Sequence, residues 1–233
     1  MEALNNILSR VSARELSEPH PSPDEMKLIY QAALRAPDHA WIRPSSFIEV
    51  KGEALKKLSK IFVKFGNTIE NISDDTIKKY KNAPFRAPMI VILVNTYKEH
   101  PKVPMIEQKL STATAAQNIM LALNAMNYSS IWRTGKFAFN KMVQQDLGLK
   151  QNQEILGYLY IGTEIGKKKK IPNLDIDGII SPRELTVSRV LKYIRKAIVS
   201  DVHEIKDGSA EIIEFQIKEG SCLLYTSPSP RDS

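Results

Sequence analysis

The pattern of apolar positions predicts helices that alternate with strands over most of the chain. A first helix is predicted over residues 2–11, where four apolar side chains recur at helical spacing: Leu4, Ile7, Leu8 and Val11. A second helix is predicted from Pro23 to about Leu34, because Ser22 is a good N-cap and proline suits the first helical position. Further helices are predicted over residues 53–65, within 67–82, and over 106–126 and 140–147.

Four segments have the length and apolar character of strands. They cover residues 46–50, 88–94, 129–132 and 154–163. The segment 88–94 is almost continuously apolar, which is typical of a strand covered by helices on both faces. Helices alternating with such strands, without hairpin signals, predict a three-layer α+β or α/β sandwich.

Composition excludes several classes of protein. Hydrophobic residues make up 42% of the 233 residues and charged residues 25%, as in an ordinary globular protein. No apolar run approaches the roughly 20 residues that a membrane-spanning helix needs. The N-terminus lacks the features of a secretory signal, and the single cysteine, Cys222, has no partner within the chain. We therefore expect a cytoplasmic protein without membrane association, disulfides, or zinc or thiol chemistry.

The net charge of +7 makes nucleic acid one class of partner to consider. All of the excess lies in residues 1–179, because residues 180–233 contain eight basic and eight acidic residues. It is spread out rather than gathered in a stripe of basic and aromatic side chains, which disfavours nucleic acid. A diffuse positive field suits small anions such as phosphates and dinucleotides.

Familiar catalytic motifs are absent from the sequence. There is no GxGxxG motif after a strand, no P-loop and no GxSxG elbow. The four histidines are never three or four residues apart, so no helical metal pair, and no metal site, is predicted. The chemistry is therefore expected to belong to a bound cofactor.

The N-terminal segment offers the first candidate binding residues. Arg10, Ser12 and Arg14 supply two guanidiniums and a hydroxyl at alternate positions. Such donors suit a phosphate monoester, which needs positive charge and several hydrogen-bond donors together. Taken alone, the segment is more simply interpreted as a solvated helix end.

Two further segments place cations at the ends of predicted elements. Arg35 and His39 follow the second helix, which Pro37 ends, and they form either a binding site or a stabilised helix terminus. Trp132 and Arg133 lie where a strand ends, a position where ligands bind in such sheets. A packed tryptophan and a surface arginine are the alternative interpretation.

Together these segments resemble the nitroreductase family of flavoproteins, and specifically its small YdjA-like branch. The resemblance runs from residue 1 to about 178 and includes five colinear motifs: RAPDH at 35–39, NAPFRAP at 82–88, VPMIEQ at 103–108, IWRTG at 131–135 and GYLYIGT at 157–163. It implies a three-layer α+β sandwich of the FMN-dependent nitroreductase type. It also implies a homodimer with two FMN sites at the interface.

The resemblance also assigns binding residues. FMN is expected to be held from one subunit by two short segments: Arg10, Val11, Ser12, Ile131, Trp132 and Arg133. Arg35 and His39 are expected to reach it from the other subunit. The branch usually has a second basic residue where this chain has Val11, and Arg14 is a candidate substitute. An NAD(P)H donor would approach residues 121–126, although core packing is the favoured interpretation of those residues.

The activity implied by the resemblance is that of an FMN-dependent NAD(P)H oxidoreductase. It would reduce nitroaromatics, quinones or similar electron-poor small molecules by a ping-pong hydride mechanism. No catalytic side chain is predicted, because the flavin carries the chemistry. The alternative is an FMN-binding or flavin-storage protein with little turnover.

The C-terminal part differs in character from the rest. Residues 180–221 resemble a fragment of the regulatory subunit of Trk-type potassium uptake systems, too short to form its nucleotide site. Residues 222–233, CLLYTSPSPRDS, read like translated sequencing-adapter DNA. The predicted organisation is an FMN-binding domain over 1–179, a foreign and incomplete segment over 180–221, and an artefactual or disordered tail. A chimeric assembly is favoured over a genuine fusion.

Overall fold

A computed structural model describes residues 2–166 and residue 171 in full, and the backbone of residues 199–205 and 210–215. The chain divides into two units, Met1–Ile171 and Pro172–Ser233. In the second unit, the strands Val199–Ile205 and Ala210–Phe215 pair antiparallel. The tail over 222–233 lies outside the described residues, and the predicted origin of the C-terminal part stays a prediction.

An antiparallel sheet forms the centre of the first unit. Its strands are β1 (Leu16–Ser17), β2 (Ser45–Lys51), β3 (Met89–Thr96), β4 (Ser129–Arg133) and β5 (Gln153–Glu164). Strand β5 pairs with β3, β4 and β1, and β2 pairs with the other edge of β3. The four predicted strands are therefore confirmed. The two-residue β1 is too short for an alternation pattern to reveal it.

Seven α-helices surround this sheet within the described residues. They are α1 (Ala3–Ser9), α2 (Pro23–Ala33), α3 (Glu53–Gly66), α4 (Asp74–Asn82), α5 (Met105–Ala125), α6 (Gly135–Ala138) and α7 (Lys141–Asp146). Two 3-10 helices, His39–Trp41 and Ala83–Arg86, complete the unit. The predicted start of α2 is confirmed, since the Ser22 hydroxyl and the Glu25 carboxylate each accept a hydrogen bond from the other residue's backbone N–H. No described helix is long and apolar enough to cross a bilayer.

The first helix is shorter than the predicted 2–11. It ends at Ser9, and Arg10 has an extended backbone with φ −65° and ψ 125°. The cause is a parallel bridge between Ser12 and Ser130, which draws residues 10–12 to the sheet. Val11 continues the helical spacing of apolar residues without belonging to the helix.

Helices cover both faces of the sheet, as the almost continuously apolar strand β3 predicts. Alternate β3 side chains contribute to two separate cores. Ile90, Ile92 and Val94 pack in the core that includes residues of α3 and α7. On the opposite face, Met89, Val91 and Leu93 pack in the core that includes residues of α2 and α5. The unit is therefore an α+β structure with helical layers on each side of an antiparallel sheet.

Candidate functional site

Backbone pairing brings the predicted N-terminal segment beside the predicted strand end. Ser12 bridges Ser130, and the Ala13 N–H donates a hydrogen bond of 3.2 Å to the Ser130 carbonyl. The N-terminal segment therefore meets β4 at Ser130, and because the bridge is parallel, residues 13–15 rather than 10–12 continue alongside Ile131–Arg133. The structure joins the two segments that the sequence analysis assigned to one subunit's half of the site.

A pair of asparagines fixes the position of α1 on α5. The Asn6 side-chain amide donates to the Leu121 carbonyl at 2.9 Å. The Asn124 amide donates to the Asn6 carbonyl at 3.0 Å and to its side-chain oxygen at 2.8 Å. This contact fixes the position of α1 and therefore of Arg10, which directly follows the helix. The sequence analysis missed it, because the partners lie far apart in the chain and neither belongs to a recognisable motif.

Trp132 is held by a close approach to β5. Its indole N–H donates to the Leu156 carbonyl at 3.3 Å. A Cβ at Gly157, which has φ 153°, would lie 2.0 Å from the indole nitrogen, so only glycine fits there. The pairing of β3 with β5 shifts register at this point. Trp132 is thus part of the packed structure, as the alternative interpretation proposed.

Arg133 has an unusual environment for a cation. Its Nε is buried and has no hydrogen-bond partner among the described residues. Its guanidinium lies 5.8 Å from the centre of the Tyr160 ring. Burial lowers the pKa of Arg133, and the neighbouring positive charge of Arg86 lowers it further. A buried donor without an acceptor is costly, so this position favours an anionic ligand.

Of the two cations that follow α2, His39 lies close to the start of α5. Arg35 is exposed just beyond the end of α2, and the Nδ1 atom of His39 is 2.7 Å from a Glu107 carboxylate oxygen. Glu107 belongs to the VPMIEQ motif, but the sequence analysis gave it no role. Because the carboxylate accepts the proton of Nδ1, Glu107 orients the imidazole and leaves Nε2 for another partner.

The loop that carries His39 has a backbone that is uncommon for its residues. Ala40, Trp41 and Arg43 have φ values of 56°, 55° and 52°. The Asp38 carboxylate accepts a 2.7 Å hydrogen bond from the Arg43 N–H, which stabilises the turn. Next to this loop is a cavity of about 300 Å³, whose lining includes Arg35, Asp38, Trp41, Arg43, Phe47 and Ser111.

His39 and the helix that precedes Arg10 contact opposite ends of α5. His39 contacts Glu107 near its start, whereas α1 contacts Leu121 and Asn124 near its end. At a rise of 1.5 Å per residue, Glu107 and Leu121 are about 21 Å apart along the helix. Within one chain, His39 is therefore far from the end of α5 on which α1 lies.

Residues 121–126 make mainly structural contacts. Leu123 is fully buried, and Ala122 and Met126 pack against the same core. The Leu121 carbonyl accepts the hydrogen bond from Asn6. These contacts support the core interpretation, and an approach of NAD(P)H to this segment stays a prediction.

The fold is an α+β sandwich with cationic segments at a strand end and at a helix end, and it therefore belongs to the class of domains that bind anionic ligands. Comparison with known proteins identifies the family. The chain matches the model described as "Nitroreductase family" over residues 7–163. It therefore belongs to the nitroreductase family. It is 35% identical over 163 residues to the Escherichia coli K12 protein named "Putative NAD(P)H nitroreductase YdjA", covering 70% of this chain and 88% of that protein.

Solved structures show the same fold. The crystal structure of the FMN and NADPH-dependent nitroreductase NfnB from sphigopyxis sp. strain HMH superposes with a TM-score of 0.60 at 17% identity, covering 78% of this chain and 98% of that one. The chain is also 41% identical over 51 residues to the Trk system potassium uptake protein TrkA of Azorhizobium caulinodans. That match covers 22% of this chain and 11% of TrkA, in agreement with the predicted resemblance to a fragment.

Proposed function

We propose that the protein is an FMN-dependent NAD(P)H oxidoreductase that reduces electron-poor small molecules such as nitroaromatics and quinones. The observation that carries the proposal is the environment of Arg133. Its buried, unpartnered Nε belongs to the strand to which Ser12 is bridged at Ser130. Such a set of donors fits the phosphate of FMN, which requires charge and several hydrogen bonds at one place.

Each half of the site has its own task. Arg10, Ser12 and Arg133 bind the phosphate, and Val11 contributes main-chain contacts. Ile131 and Trp132 hold the strand beneath the cofactor, since Trp132 is fixed to β5 by its indole N–H. Arg35 and His39 approach the flavin ring from the second subunit. When bound, FMN supplies the hydride chemistry, so no side chain needs to act as an acid or base.

A homodimer follows from the separation of the two halves. The His39 contact lies about 21 Å along α5 from the contacts of α1, which supports a second chain as the source of Arg35 and His39 at each flavin. Apolar side chains that suit an interface are exposed on both helices: Leu4, Ile7, Leu8, Met105, Ile106 and Leu110. Exposed groups of apolar side chains of this kind are typical of protein–protein contacts. We propose that α1 and α5 form the core of this interface.

The reaction proceeds in two half-reactions at the same pocket. When bound, FMN would take the hydride of NAD(P)H, and after NAD(P)+ had left it would pass the electrons to the electron-poor acceptor. The exposed cations Arg35 and Arg43 beside the cavity attract anionic donors and acceptors.

Anaerobic mixing tests this proposal. The FMN-loaded protein is mixed with NADPH or NADH, and the visible flavin absorbance is followed. We expect the absorbance to be lost and to return when a nitroaromatic or a quinone is added. Absorbance that persists with both donors contradicts the proposal and supports a flavin-storage protein instead.

A further inference from the structure

Three arginines from three separate segments lie near one another, with Arg86 and Arg133 close to Tyr160 and Arg14 close to Arg133. Tyr160 pairs with Ile90 of β3 on one side and with Ile131 of β4 on the other. Arg133 extends from β4 on the same face as Ile131, with its guanidinium near the Tyr160 ring. Arg86 ends the 3-10 helix Ala83–Arg86, directly before β3 begins.

The third arginine comes from the N-terminal segment. Arg14 follows Ala13, whose N–H donates to the Ser130 carbonyl at the opposite edge of β4. Arg14 and Arg86 are exposed, whereas Arg133 is half-buried. The burial of Arg133 raises its need for a counter-charge, and the exposure of the other two leaves them free to move toward a ligand.

No carboxylate balances this charge. Among the residues that the structure describes, none of the three guanidiniums forms an ion pair. The pKa of Arg133 is lowered first by burial and then by the charges of Arg86 and Arg14. Three like charges without a counter-charge are unfavourable unless an anion binds among them.

We propose that Arg86 and Arg14 bind the FMN phosphate together with Arg133. The inference rests on the proposed function and adds two residues to the phosphate site. A phosphate monoester carries between one and two negative charges and offers several acceptor oxygens, so more than one guanidinium is needed to neutralise it. Arg14 thereby supplies charge that Val11 cannot.

Comparison of FMN with riboflavin, which lacks the phosphate, tests the inference. The apo form of the full chain is titrated with each flavin, and quenching of flavin fluorescence gives the two dissociation constants. We expect Arg86→Gln to weaken FMN binding about tenfold, because hydrogen bonds to charged groups contribute that much. Riboflavin binding should stay unchanged, which also shows that the variant is folded.

Matched variants separate local from general effects. Arg14→Gln should weaken FMN binding severalfold, and Arg86→Lys should restore part of the loss because it keeps the charge without the planar fork. Lys27→Gln is the control, since Lys27 is exposed on α2, which packs on the opposite face of the sheet. It should leave the ratio of the two dissociation constants unchanged.

Three results would overturn the inference. One is an unchanged ratio of FMN to riboflavin affinity in both Gln variants. Another is a KM of the Gln variants that rises for NADPH but not for NADH, with an unchanged affinity for FMN. This result would assign the arginines to the 2′-phosphate of NADPH. The third is a wild-type protein that binds neither flavin, and only this result also removes the proposed function.

Discussion

At the scale of single residues, Gly157 shows how the site depends on close packing. The Trp132 indole occupies the space of a side chain there, and the φ of 153° disfavours any residue other than glycine. We expect Gly157→Ala to lower the free energy of unfolding by about 2 kcal/mol through overpacking and backbone strain.

Urea unfolding measures this loss, and Gly148→Ala is a matched control. Gly148 also has a positive φ, of 77°, but a Cβ there meets no atom within 4 Å. The control therefore reports backbone strain alone. Equal losses in the two variants would show that the contact with Trp132 contributes nothing.

Glu107 is a positioning residue for His39. Replacing it by Gln keeps the shape of the side chain but removes the negative charge 2.7 Å from Nδ1. Because the pair is about half-exposed, we expect a loss of roughly two- to fivefold in flavin affinity. In the proposed site His39 approaches the flavin ring, which FMN and riboflavin share, so the binding of both should weaken equally.

The same flavin titrations distinguish this role from that of the arginines. A loss confined to FMN would place Glu107 and His39 at the phosphate rather than the ring, contrary to the proposed site. Glu53→Gln, on an exposed acidic residue of α3, controls for the change in net charge.

At the scale of elements, the docking of α1 on α5 positions Arg10. Asn124→Ala removes both hydrogen bonds to Asn6. We expect the amides of α1 to exchange hydrogen faster and FMN to bind up to about 30-fold more weakly, since the two lost bonds together contribute roughly 2 kcal/mol. Gln117→Ala, at an exposed position of the same helix, should change neither. Normal protection of α1 in Asn124→Ala would contradict this role.

Whether a segment is a helix or a strand follows from the sequence wherever burial determines the spacing of its apolar residues. The apolar run in β3 predicted helices on both faces because each face of that strand packs in its own core. The end of α1 was mispredicted because an edge bridge at Ser12, rather than apolar spacing, sets it. Contacts between distant polar residues leave no local pattern, so Asn6–Asn124 and His39–Glu107 were found only in the structure.

The candidate site residues were predicted from the resemblance to the nitroreductase family more than from the pattern of apolar and charged positions. Taken alone, Arg10 and Ser12 were better interpreted as a solvated helix end. Their attachment to the strand that carries Arg133 depends on the parallel bridge between Ser12 and Ser130, which no sequence rule predicts. The role of Arg86 was missed for a similar reason, because its charge acts on Arg133 across the sheet.

At the scale of the whole molecule, the exposed apolar side chains of α1 and α5 predict self-association. Leu110 is 58% exposed on α5. We expect Leu110→Glu to shift the protein from dimer to monomer in sedimentation experiments and to reduce bound FMN, because a buried charge at an interface is costly. The control is Lys57→Glu, because Lys57 is exposed on α3, and this variant should remain dimeric. A Leu110→Glu dimer with full FMN content would contradict this interface.

A mixed dimer tests most directly whether each flavin site is built from two chains. One variant carries Arg10→Ala and Arg133→Ala, and the other carries Arg35→Ala and His39→Ala. Each variant alone should bind little FMN, because both of its sites lack one half. In a dimer with one chain of each kind, one site has all four residues and the other has none. We therefore predict one tightly bound FMN per mixed dimer, measured on dimers purified with two different tags, whereas mixed dimers without FMN would contradict the account.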